Sequence, residues 1–433
     1  MGIPTVTVAS SEFVSLARNT ALSQGAMDAC FVTVPHPMGM IPLNEIRKKA
    51  DEAFPAIMKA ATQWKPEESK AAAVRPPYPA ERIKLTGDRE AVNDYFYKKG
   101  WSLGLEIVPP TPERVAAMLK GTTRLPGEII GVVPPRDGIL TVEMAAVYAV
   151  MAGCRPEYMP VLLAALEAML DEAHGWRAAT TTTNPVAPLV VVSGPIVKEL
   201  GIQNSTGALG GGPASRPNVT IGHAINLIGD VLGGSKPPTP DATTLGQTAN
   251  IIAMVLGENE AENPWEPFRV EMGFARQKST VTIFEVRSFA NNNLHDVKTG
   301  QDLLTIMGSV MASVGAVGET TKPCAPGNKE LILMSPEHAS LVFSSGLKTK
   351  GEVQKFLFEK SKVQRSLLEL RYSANPGKLD NTVNCFKGWE KWDAVPMVAK
   401  PEDILVVVTG GAGKHSVYMS TNGYAAVTRE IKK

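Results

Sequence analysis

Two short β-branched runs near the N-terminus constrain this chain more than any other feature. Residues 3–9 (IPTVTVA) and 31–34 (FVTV) have strand composition. Ser10 or Ser11 can cap a helix between them, with Phe13, Val14, Leu16 and Ala17 on one side. After PHPMGMIP, Asn44 is placed to cap a second helix, along which Ile46, Ala50, Ala53, Phe54, Ile57 and Met58 recur at three- and four-residue steps. Residues 1–64 thus read as a βαβα fragment, and a parallel βαβ unit needs further strands and a cover on each face. Burying Ile3, Val6, Val8, Phe31, Val32 and Val34 represents about 9–18 kcal/mol gross, at about 1.5–3 kcal/mol each. That rivals the net stability of a whole domain, about 5–15 kcal/mol. The fragment is expected to be completed by strands from elsewhere. Residues 65–81 (KPEESKAAAVRPPYPAE) are charged, Pro-rich and unperiodic, and read as a linker, so direct continuation is not expected to supply them.

Residues 82–433 alternate strand and helix signals and predict a larger multi-layer α/β region. RIKLTG and LGLEIVPP read as strands around a helix opened by Asp88. Thr111 caps the next helix, with Pro112 in its first turn and Glu113 where the helix dipole favours a negative charge. Two apolar helices follow, split near Arg155-Pro156. PLVVVSGP, ELILMSPEHA and ILVVVTGGAG share one plan, an apolar strand running into a small polar turn. That repetition fits an internal duplication, with lobes of about 82–256 and 257–433, although any α/β protein repeats strand, turn and helix.

The totals exclude several classes. A formal net charge of +1 offers no electrostatic footprint for nucleic acid or an anionic membrane. No apolar run is long enough to span a bilayer, and the first residues lack a basic and apolar leader, so the reading is cytoplasmic. Cys30, Cys154, Cys324 and Cys385 are widely separated, which predicts reduced thiols and no zinc ribbon. The histidines are scattered too, and no metal site or cofactor motif is predicted.

Several segments could carry chemistry. In GIQNSTGALGGGPASRPN, Asn204, Gly210, Gly211, Gly212 and Arg216 precede a helix expected to begin near Val219. Free amides of such a loop and a helix N-terminus favour an anion. The run TTTTNP could line a polar pocket, although threonine is also an ordinary strand residue. Cys154 beside Arg155, at a helix break, has a setting that favours a thiolate. Glu258, Glu260 and Glu262 gather before Trp265, where a buried carboxylate could serve as acid or base. His338 opens a helix, and Lys414 and His415 follow a strand. With Ser10, Ser11 and His36, these lie beyond strand C-terminal ends, where open α/β sheets bind ligands.

The opening GIPTVTVASSEFVSLAR…FVTVPHPM resembles the C-terminal half of a UGSC-family domain. That family is named for a selenocysteine-or-cysteine-Gly-Ser-Cys motif preceding such a strand. LEIVPPTPERVAAML, VMAGCRPEYMPVLLAALEAM, GPIVKELGIQNSTGALGGG, NVTIGHAINLI, ENEAENPWEP and SPEHASLVFSSG resemble proteins found with the family. The motif itself is absent from the 433 residues. The resemblance therefore implies a heteromer in which a smaller partner brings the Cys-Gly-Ser-Cys strand half, with thiol redox or nucleophilic chemistry of oxidoreductase or lyase type. In that reading the substrate is a small, anionic molecule near Ser10, Ser11 and His36. The Asn204–Arg216 region would bind its charge, and Cys154, Glu258 or His338 would assist proton transfer. Two alternatives stand beside it: a single-chain enzyme using Cys154, and a non-catalytic binding or scaffolding subunit.

Overall fold

A computed structural model of the chain describes residues 5–14, 17, 18, 21, 29–38, 41–65, 77–237, 240–313, 323–325, 327–421 and 423–432. Ile3, Leu16 and most of the expected linker (residues 66–76) lie outside the described residues. The protein is α/β, with several mixed sheets and helices.

The N-terminal runs form a two-stranded parallel sheet, with β1 (Thr7–Ser10) paired to β2 (Phe31–Val34), Thr7 opposite Phe31 and Ser10 opposite Val34. A helix over Leu43–Gln63 follows. Pro42 stands at its cap position and makes no side-chain cap bond, so Asn44 lies inside the first turn and is not the cap. None of this helix is buried: Phe54 is 58% exposed and Met58 46%. Val8 on β1 is 46% exposed. Ala9, Val32 and Val34 are buried while Val8 stays open, and a two-stranded sheet of this kind is marginal by itself.

Two four-stranded sheets organise the large region. Outside them, β3 (Ile129–Val133) pairs with β4 (Gly138–Thr141) and β10 (Lys362–Gln364) with β11 (Ala394–Pro396). The first large sheet runs β14 (Val427–Glu430), β7 (Thr280–Val286), β5 (Ala187–Ser193), β6 (Met254–Gly257), and the second β12 (Ile404–Val408), β9 (Glu330–Met334), β13 (His415–Ser420), β8 (Ala290–Asn293). In the first, β5 is parallel to β6 and antiparallel to β7, which pairs with β14. In the second, β9 is parallel to β12 and antiparallel to β13, which pairs with β8. Each sheet is thus a parallel pair, an antiparallel third strand and a fourth strand from elsewhere. β8, which follows β7 in the chain, joins the second sheet; β14, which follows β13, joins the first. Strand pairing therefore crosses the expected lobe boundary near 256/257.

Strand periodicity explains the layers. Leu189, Val191 and Phe284 of the first sheet share a buried cluster with Leu331, Leu405 and Met419 of the second. The alternate residues Val190, Val192 and Ile283 pack on helices Val142–Met151, Met159–Met169 and Arg216–Leu227. Ile332, Val406 and Tyr418 pack beneath helices Gly300–Met311, Pro336–Ser344 and Lys350–Lys360. The helix caps at Asp88 and Thr111 form as read: Ala91 N donates to Asp88 Oδ1 (3.0 Å), and Arg114 N to Thr111 Oγ1 (3.5 Å). The break near Arg155-Pro156 is a 3-10 turn, Pro156–Tyr158.

Three expectations need correction. RIKLTG and LGLEIVPP are not strands. In the latter, Asn93 takes the Ile107 backbone amide on its Oδ1 (2.7 Å), and Val108 N donates to Met151 O (3.0 Å), so these groups are satisfied without a ladder. The helix after the glycine-rich loop begins at Arg216, not near Val219. Cys324 and Cys385, 61 positions apart, form a disulfide instead of remaining reduced. The fold brings them together beside a small cluster around Val363, Val383 and Trp389.

Candidate functional site

At the C-terminal ends of β1 and β2, three sequence-predicted residues meet. Ser10 Oγ lies 3.2 Å from His36 Nδ1, and His36 N donates to Ser11 Oγ at 3.2 Å. Ser11 N in turn donates to Val34 O (2.8 Å), which fixes the turn on the strand end. Lys49, one helix away, donates to Pro37 O (2.7 Å) and places a cation next to the cluster.

A cleft of about 520 Å³ opens at the C-terminal ends of the parallel pair β5 and β6, and Asn204 and Glu258 both line it. Asn204 Nδ2 donates to Glu258 O (3.1 Å), while its own carbonyl accepts from Gly410 N beyond β12 (2.9 Å). Asn259 N donates to Val408 O (2.8 Å), so the ends of the two parallel pairs are joined here. The approach is close. A Cβ on Gly257 would lie 2.7 Å from Val197 Cγ1, which requires glycine.

The Glu258 side chain is buried and accepts from Phe268 N (2.8 Å) and Asn263 Nδ2 (3.1 Å). Burial raises its pKa, opposed by the Lys350 charge, the Phe268 amide and the Ser193 hydroxyl. The carboxyl is therefore biased towards holding a proton in a water-poor wall, the setting of a general acid. Glu260 pairs with buried Arg269 and accepts from Gly194 N (2.7 Å); Glu262 accepts from Asn259 Nδ2 (2.7 Å). The acidic run is thus tied into the cleft wall. Glu260 and Arg269 both line the cleft.

The other predicted residues lie apart from this cleft's lining. Gly210, Gly211 and Gly212 are exposed, and Arg216 Nη2 donates to Gly153 O (3.3 Å) beside Cys154. Cys154 is buried, and burial pushes its thiol up to about 12 against smaller opposing effects from Thr220 and Arg216. The expected thiolate is therefore disfavoured; desolvation outweighs the neighbouring charge. Against the second sheet, buried His338 of helix Pro336–Ser344 meets Ser416 Oγ of β13 through Nδ1 (2.7 Å), and Ser335 N donates to the same hydroxyl (3.1 Å). Burial lowers the His338 pKa, opposed by the Leu294 carbonyl, and so disfavours the charged ring. Lys414 donates to His295 O (3.0 Å), and His415 Nε2 lies 3.1 Å from His295 Nε2. Cys154, Glu258 and His338 thus belong to three separate settings.

Sequence reasoning missed a larger cleft of about 710 Å³ containing Asp230, Lys236, Asp241 and Glu285, with Thr180 of the threonine run in its wall. The available signal was Asp230 itself, a carboxylate within the apolar run INLIGDVL. Glu285 is buried against His174, Oε1 to Nε2 at 2.7 Å.

Residues 1–63 match the family model described as the UGSC family, and the rest of the chain is unmatched. No curated protein matches the chain. No solved structure matches it either. Among the described residues, no group of three or more His, Cys, Asp or Glu side chains is placed to hold a metal, and no helix is long and apolar enough to cross a membrane.

Proposed function

We propose that this chain is one subunit of a heteromeric, thiol-dependent enzyme acting on a small anionic molecule. A partner chain supplies the Cys-Gly-Ser-Cys strand half, which pairs beside β1 and β2 and brings its thiol to Ser10, Ser11 and His36. The observation that carries this reading is the parallel β1–β2 pair with uncovered apolar residues Val8, Phe54 and Met58, in the segment matching the UGSC family. Parallel sheets are covered on both faces in stable folds, so a cover is required. The family's missing half has the right chemistry to provide it, because a thiolate is the reactive form and a neighbouring imidazole can accept its proton. The cleft holding Asn204, Glu258 and Arg269 supports a second contribution, in which Glu258 delivers a proton to bound substrate. The common strand order of the two large sheets supports their origin by duplication.

The test is reconstitution with the product of an adjacent reading frame that carries the motif. Turnover of thiol-reactive substrates should need both chains and be lost when the partner's motif cysteines become serine. Turnover by the 433-residue chain alone, abolished by Cys154→Ala, would support the single-chain alternative. Ligand-dependent stabilisation without turnover in any pairing would support a binding subunit.

A further inference from the structure

The larger cleft has the construction of a site. Residues 235–237 and 241–251 contribute much of its wall and are tied to the body. Asn250 Nδ2 donates to Val186 O (2.7 Å), Asn226 Nδ2 to Ala249 O (2.8 Å) and Thr244 N to Thr183 O (3.0 Å). Asp230 sits in a π-helical turn, Ile228–Leu232, that continues helix Arg216–Leu227; such turns recur at functional sites. Lys236 reaches towards Gly100, where a Cβ would lie 3.2 Å from Nζ. Among the described residues, neither the Asp230 carboxyl nor the Lys236 amine makes a hydrogen bond or ion pair at contact distance. Trp176, which also lines the cleft, is buried with its indole N–H unpartnered.

We propose that this cleft binds a small uncharged aldehyde or hydroxyketone, with Lys236 as the reacting amine and Asp230 as the proton donor. Burial, with Arg136 nearby, lowers the Lys236 pKa against the opposing Asp230 charge. Burial and Asp241 push the Asp230 carboxyl up to about 8. The uncharged amine and the protonated acid are the forms this chemistry needs. Lys236 Nζ adds to the carbonyl carbon, and the oxygen takes a proton to give a carbinolamine. Asp230 then protonates the departing hydroxyl as the nitrogen lone pair closes the C=N bond. One carbonyl and one amine, with one proton from Asp230, yield one iminium and one water, without oxidant or reductant. Asp241 and Glu285 disfavour a carboxylate-bearing substrate, whereas ligand hydroxyls can donate to them. This inference does not depend on the partner-thiol reading, since none of the cleft's lining comes from residues 1–63.

The experiment uses the full chain at pH 7 with glycolaldehyde and sodium cyanoborohydride, followed by peptide mass mapping. Lys236 should be reductively modified at least tenfold faster than Lys48, whose side chain is 77% exposed, and the rate should saturate with glycolaldehyde. Asp230→Asn should slow Lys236 several-fold and leave Lys48 unchanged. As a measurement without substitution, the Lys236 rate should reach half its maximum at lower pH than that of Lys48. Labelling of Lys236 at or below the Lys48 rate, or without saturation, would overturn the proposal.

Discussion

Glu330 provides a quantitative test of the second sheet. It is 0% exposed on β9, where Tyr418 Oη donates to its Oε2 (2.7 Å) while its Oε1 has no partner. Burial raises its pKa to about 8 from the ordinary 4.5, opposed by Tyr418 and by the Arg287 charge. A folded-state pKa above the unfolded one gives stability that is complete below the unfolded value and is lost as pH rises through the folded value. At about 1.4 kcal/mol per unit, the gap amounts to about 5 kcal/mol lost between pH 4 and pH 9. Glu330→Gln keeps the shape and an acceptor for Tyr418, but buries an amide N–H₂ where Oε1 lacked a partner, costing about 1–3 kcal/mol. Urea denaturation at pH 5, 7 and 9 should show the variant less stable than wild type at pH 5 and more stable by about 2–4 kcal/mol at pH 9. Curves that stay parallel across that range would refute the assignment of a buried, neutral Glu330.

Three further outcomes follow from buried or linked groups. His174→Ala leaves the Glu285 carboxyl without its partner and should cost about 3–5 kcal/mol in the same denaturation assay; a loss under about 1 kcal/mol would mean the pair is not buried as described. Cys154 should resist iodoacetamide at pH 8 in the native chain and react after unfolding, and native labelling at the rate of a free thiol would contradict its raised pKa. Reducing the Cys324–Cys385 bridge, which closes a separation of 61 residues, should lower stability by about 4 kcal/mol in the chain-entropy account. Unchanged urea midpoints with and without reductant would argue against it.

Local signals were legible where one segment contained the whole physical cause. The caps at Asp88 and Thr111, the break at Pro156 and the apolar strands β5, β9 and β12 all depend on neighbouring residues. Leu103–Pro110 misled because its backbone bonds go to Asn93 and Met151, a tertiary preference that periodicity does not contain. The exchange of β8 and β14 and the Cys324–Cys385 bridge are likewise set by distant pairing. At the sites, Ser10, Ser11 and His36 were legible together because they follow adjacent parallel strands, whereas Asn204 and Glu258 were singled out in separate segments, a glycine-rich loop and an acidic run, and their meeting is set by tertiary packing. Lys236 was not legible, since its partial burial comes from a wall whose residues are far apart in the chain. Cys154 shows the converse: Arg216 stands nearby in space, but the surrounding apolar packing determines its charge.

The central claim is that the β1–β2 sheet is completed by another chain, and amide hydrogen exchange tests it most directly. In the isolated protein, amides of residues 7–10 and 31–34 should exchange far faster than those of β5, because their sheet has two strands and is only partly covered. Adding the purified Cys-Gly-Ser-Cys-bearing partner should slow them by at least a hundredfold while leaving β5 unchanged. Protection equal to β5 in the isolated chain, or no change when that partner is added, would contradict the account.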